Sequence, residues 1–119
     1  MANIIPFAFR GELFTGTHNF ASGGDSFKLA LYTANPYNTS STVYSATSEV
    51  SASGTNYTTA GEALGSNAVV STGAVATCDF ADATWTTATF TAAYGAIYND
   101  TQGDKLCVAL DFSGNKTAT

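Results

Sequence analysis

AAYGAIYNDTQGDKLCVALDF, residues 92–112, decides the fold class of this chain. Its centre, NDTQGD at 99–104, is dense in turn-forming residues. On the far side Leu106, Val108, Leu110 and Phe112 alternate with Lys105, Cys107, Ala109 and Asp111, the period of a strand. On the near side Tyr94, Ile97 and Tyr98 lie in an aromatic and β-branched run that suits a pleated surface. The stretch is therefore a β-hairpin, and the flanking sequence is read against it.

Upstream, AVVSTGAVATCDF (68–80) offers two short strands around Ser71 to Gly73, and TWTTATF (84–90) leads into the hairpin with Thr, Trp and Phe. Phe27, Leu29 and Leu31 alternate with Lys28, Ala30 and Tyr32, which predicts a strand with one buried face. ANPYNTSST (34–42) breaks that pattern and reads as a loop, TVYSATSEVS (42–51) as a weak strand, and SGTNYTTAGEALGS (53–66) as turn-rich. The one helix expected is in IIPFAFRGELFTGTHNF (4–20), where Phe7, Arg10, Leu13 and Phe14 recur at helical spacing after Pro6. It should end near Gly16. The prediction is an all-β fold, an antiparallel sandwich or flattened barrel with one short N-terminal helix.

With 119 residues the chain is one domain: an N-terminal arm and short helix over 1–20, a sandwich over 26–112, and a loose tail or incomplete last strand over 113–119. Charged residues are only 11% of the chain against 45% hydrophobic, so hydroxyls and amides must carry solubility. Nine acids against four basic residues, with no basic patch, disfavour direct nucleic-acid binding. No apolar run reaches membrane-spanning length and no export signal is recognisable, so the chain is expected to be soluble, made in a host cytoplasm, and not membrane-bound.

Catalytic chemistry has little to build on. His18 is the only histidine, GTHNF (16–20) contains no nucleophile elbow, and His18 is expected to be a surface or capping residue. Asp79 and Asp82 lack the further oxygens of a calcium loop, and Asp100 and Asp104 suit a turn. No enzyme, metal or other cofactor is expected. Cys78 and Cys107 are too far apart in sequence for a CxxC motif and are read as buried thiols, with a disulfide left open if their strands are neighbours. Trp85 is read as a core anchor; a sugar platform built from Trp85, Tyr94 and Tyr98 is the rival, making the chain a carbohydrate-binding module. The N-x-S/T triplets at Asn38, Asn56, Asn99 and Asn115 reflect a Thr-rich composition.

Taken in order, FRGELFTGTHNF, DSFKLALYT, TVYSATSEVSASGTNYTTAGEAL, DFADATWTTATFTAAYGAIYND and KLCVALDFSGNKT resemble a family of small virion structural proteins of tailed bacteriophages over nearly the whole chain. The resemblance implies a non-enzymatic particle component without a cofactor. Its expected place is the outer capsid surface, as a decoration or cement protein on the major capsid protein. A head-fibre, tail or baseplate role is the alternative. A homodimer or homotrimer is compatible with it. The resemblance also implies one more Thr-rich strand after DFSGNKT, hence a truncated chain or an edge completed by a neighbour. Phe7, Phe9, Leu13 and Phe14 are the candidate assembly contacts, packing on the sheet edge or on a neighbouring subunit.

Overall fold

A computed structural model of the protein describes residues 3–118. Helix α1 (Phe7–Phe14) is followed by strands β1 (Phe27–Tyr32), β2 (Glu62–Leu64), β3 (Ala68–Thr72), β4 (Val75–Asp79), β5 (Phe90–Asn99) and β6 (Lys105–Ala118). Four strands form an antiparallel sheet in the order β2-β1-β5-β6, and β3 and β4 form a separate two-stranded sheet. The all-β antiparallel class and the single short helix are as the sequence predicts. The larger sheet is open and not closed into a barrel.

The hairpin at 92–112 forms as β5 and β6, but its simple alternation does not survive. Ile97 pairs with Val108 and Tyr98 with Leu106, which leaves Cys107 as an extra residue in a β-bulge. One added residue moves the following side chains to the opposite face. Leu106 accordingly packs with Ala109, Ala96 and Tyr98, while Cys107 joins Phe27 and Leu64 in a different cluster. Residues 113–118, expected as a loose tail or incomplete strand, continue β6; Thr91 pairs with Thr117 and Phe90 with Ala118.

Both faces of the sheet are covered, where the sequence predicts one buried face for β1. Phe27 and Leu31 are buried on one side and Ala30 and Tyr32 on the other. Both covers draw on the loop over residues 33–61, whose Tyr37 and Tyr44 pack on the Ala30 and Tyr32 side and whose Val50 and Tyr57 pack with Leu31; this loop is not the weak strand expected at 42–51. It touches the sheet through single bridges, Val43 to Lys105 and Tyr32 to Glu49. Side chains complete the attachment, because a covering loop must satisfy its own polar groups. The Tyr32 and Tyr37 hydroxyls lie 2.6 Å apart, and Tyr32 also donates to the Ser45 carbonyl at 2.8 Å.

Glu49 is the hub of this cover. Its carboxylate accepts hydrogen bonds from the Tyr44 hydroxyl, from the Tyr57 hydroxyl at 2.6 Å and from the Ala60 N–H at 2.8 Å. The Tyr57 hydroxyl in turn accepts the Leu31 N–H at 3.0 Å. Gly61 follows with φ +93°, and a Cβ there would sit 2.2 Å from the Leu29 carbonyl oxygen, so the loop can return to β1 only through glycine.

The β3–β4 hairpin contrasts with the rest. Thr72 and Val75 close a two-residue turn whose first central residue, Gly73, has φ +61°, as a type II′ hairpin requires. All ten strand residues are exposed. No Cα of either strand comes within 8 Å of a Cα in any other helix or strand.

Candidate assembly surface

Helix α1 is held by a few specific contacts and turns most of its apolar residues outward. Pro6 precedes it without a side-chain cap, and the Thr15 and Gly16 N–H groups close its end on the Gly11 and Leu13 carbonyls. Glu12 faces the sheet, 2.9 Å from His18 and 3.6 Å from the Lys105 ammonium. Phe9 also points inward, against His18 and Phe20 with ring centroids 4.9 and 6.2 Å away. Phe7, Leu13 and Phe14 are 57%, 48% and 95% exposed. Of the four candidate contacts, Phe9 is therefore a strut beneath the helix and the other three form its outer surface. Arg10 lies over the Phe7 ring at 5.5 Å.

The hairpin extends this surface. Phe9, Leu13 and Phe20 on one side and Val69, Ala76 and Cys78 on the other line an open groove of about 410 Å³. Val70 and Val75 lie on the hairpin with more than half of their surface in water. An apolar groove flanked by exposed Phe, Leu and Val is the chemistry of a contact surface, because water gains when such groups are covered. Among the described residues no helix is long and apolar enough to cross a membrane.

Beneath α1 lies a polar node that sequence reasoning missed. His18, expected at the surface, is buried. The Asn99 side-chain oxygen Oδ1 accepts the Thr101 and Gln102 N–H groups, which orients its NH2 toward His18 Nδ1 at 2.9 Å and Asp25 at 2.8 Å. His18 therefore accepts at Nδ1 and donates from Nε2 to Glu12. Burial raises the Asp25 carboxyl, but hydrogen bonds from Asn99, the Asn19 N–H and Gln102, with His18 nearby, outweigh it and hold its pKa below the ordinary value.

Cys107, His18 and Glu12 stand in a row that superficially resembles a thiol nucleophile with its base and orienting acid. The Cys107 Sγ is 3.9 Å from His18 Nδ1, but that nitrogen is already engaged by Asn99. Cys107 is 3% exposed, and burial, with smaller contributions from Glu12, Cys78 and Asp25, pushes its thiol up to about 12. A thiol so protected is a packing group. The row fastens α1 and its following loop to the β5–β6 turn.

The two cysteines line one apolar cavity of about 160 Å³ with Phe9, Phe20, Phe80 and Ile97. Both are free, and Cys78 is exposed, against the expectation of a buried thiol. No Cα of β4 lies within 8 Å of one in β6, beyond the span of about 4.4–6.8 Å that a disulfide bridges. Trp85 stacks on Tyr57 with centroids 5.7 Å apart and meets Phe90 edge-on at 6.1 Å. It does not join Tyr94 and Tyr98 in a platform: Tyr98 is buried against Tyr44, and Tyr94 packs on the same cluster.

Comparison of the chain with protein-family models, curated proteins and solved structures finds no match.

Proposed function

We propose that this chain is a non-enzymatic structural protein of a tailed-phage virion, a decoration protein seated on the outside of the capsid shell and bridging major capsid subunits. The observation that carries this reading is the outward apolar surface of α1 and the β3–β4 hairpin, with Phe14 almost fully in water. The order of sequence segments supports the phage family. A protein repeated over a lattice needs only a modest contact per copy, since many linked contacts multiply their effect. Side chains of Ser, Thr and Ala lose little rotamer freedom on docking, which suits a rigid shell component.

The test is the ratio of this protein to the major capsid protein in purified particles, by quantitative mass spectrometry. A ratio that follows the capsid lattice supports decoration. A small fixed number of copies per particle moves the protein to the tail or baseplate, and its absence from particles overturns the virion reading.

A further inference from the structure

The fold leaves four strand edges facing outward, those of β2, β6, β3 and β4. Exposed edges invite pairing with another chain, and proteins guard them with charge, bulges, short length or a covering segment. Strand β2 is three residues long and begins with Glu62. Strand β6 is covered by Ile4, whose backbone exchanges hydrogen bonds of 2.8 and 2.9 Å with Ala109. Its far end carries Lys116 and a register shift against β5. Strand β4 ends in Asp79.

Among the described residues, only β3, AVVST, has no guard. It contains no charge, no proline and no bulge, and three of its five residues are β-branched Val or Thr. With Thr72 and Val75 as the hydrogen-bonded pair that closes the turn, bonding alternates along the strand. Val69 and Ser71 therefore direct their N–H and C=O groups away from β4. Among the described residues nothing pairs with them.

We propose that β3 is a self-pairing edge, joining two copies of this chain antiparallel about a two-fold axis at Val70. In that register Val69 of each copy faces Ser71 of the other and forms the outward hydrogen bonds, Val70 meets Val70, and Ala68 meets Thr72. The two hairpins become one four-stranded sheet, β4-β3-β3-β4. Charge favours a second copy and this edge. A molecule with net charge −5 repels itself at most surfaces, yet no charged residue enters the β3 ladder, and the two Asp79 carboxylates fall at opposite ends of the joined sheet. The equivalent pairing through β4 about Thr77 would bring Asp79 into the ladder opposite Val75. Five residues per strand give an interface small beside the roughly 1,000 Å² of a stable complex, so dimerisation is concentration-dependent. This pairing does not depend on the virion role.

Sedimentation of the full chain over a concentration series tests it. The expected result is a reversible monomer–dimer equilibrium. Val70→Lys, at a site 55% exposed in the monomer, places two ammonium groups together on the axis and should raise the dissociation constant more than about tenfold, with circular dichroism unchanged. Val75→Lys, outside the new ladder, should leave it unaltered. Because residues facing across a non-hydrogen-bonded pair approach to about 4.5 Å, Val70→Cys in a Cys78→Ser background should yield a disulfide-linked dimer with oxidised glutathione. A wild-type chain that stays monomeric, an odd-numbered oligomer, a dimer indifferent to Val70→Lys, or failure of the Val70→Cys crosslink overturns the proposal.

Discussion

Strands β5 and β3 are made of similar residues and meet opposite fates. FTAAYGAIYN places Ala92, Ala93, Ala96, Tyr98 and Asn99 in the interior, whereas AVVST leaves every side chain exposed. A β-branched or small residue fits a pleated surface, and whether that surface is buried depends on what packs against it. Around β5 lie two partner strands and covering loops pinned by Tyr and Glu hydroxyl and carboxylate bonds. Strand β3 pairs only with β4 among the described strands, and its Val69 borders an open groove. An isolated two-stranded hairpin is marginal in water, so the sheet carries the stability of the protein and the hairpin adds exposed surface.

The largest perturbation should come from the sheet. Tyr98→Ala removes a ring that is almost fully buried between Tyr44 and Leu106 and deletes the hydroxyl that donates to the Ala60 carbonyl. A loss of about 3–5 kcal/mol in chemical denaturation is expected. Next is the loop's hub: Glu49→Ala strands the Tyr44 and Tyr57 hydroxyls and the Ala60 N–H, and should cost about 2–3 kcal/mol by the same measurement. If Glu49→Ala proves neutral, the loop is not held as described and the contrast between the two regions weakens.

Titration should act on the polar node. Cys107 is raised from 9.0 to about 12 in the folded protein, so its contribution is intact below pH 9 and is lost as pH rises from 9 to 12, where the unfolded thiol ionises first. Cys107→Val should remove the onset of that decline, while buried tyrosines such as Tyr57, also raised, maintain its later part. Asp25 has the opposite sign. Its lowered pKa stabilises the fold at neutral pH, and the benefit disappears as pH falls below 3.8 toward the folded value. Asp25→Asn should flatten that acid limb in thermal melts taken across pH.

The smallest effects on stability belong to the outer surface. Phe14→Ser and Val75→Thr should each change the unfolding free energy by less than about 0.5 kcal/mol, since neither side chain packs into a buried cluster. Phe14→Ser should nonetheless weaken attachment to particles if α1 is the docking element. A destabilisation of several kcal/mol from either change would mean that this surface belongs to the core.

Helix α1, the hairpin around Gly73 and the β5–β6 turn are legible because local chemistry specifies them: Pro6 before helical spacing, a break at Ser71 to Gly73 between two short strand-like runs, and a cluster of turn residues. The apolar residues of α1 are likewise readable in the sequence, but that Phe9 turns inward while Phe7, Leu13 and Phe14 stay exposed is not. The bulge at Cys107 is not legible, since KLCVALDF alternates without interruption and the extra residue exists only relative to β5. Nor is the role of Glu49, one acid in a hydroxyl-rich loop until Tyr44, Tyr57 and Ala60 converge on it.

By itself, the sequence determined the class, the helix, the turns and the near absence of charge, all properties of residues and their neighbours within a few positions. Tertiary structure alone decided which apolar strands were buried, where His18 and Cys107 came to rest, and that β3 kept a bare edge. Those outcomes depend on pairings across tens of residues, such as Asn99 with His18 and Ile4 with Ala109, and no local pattern encodes them.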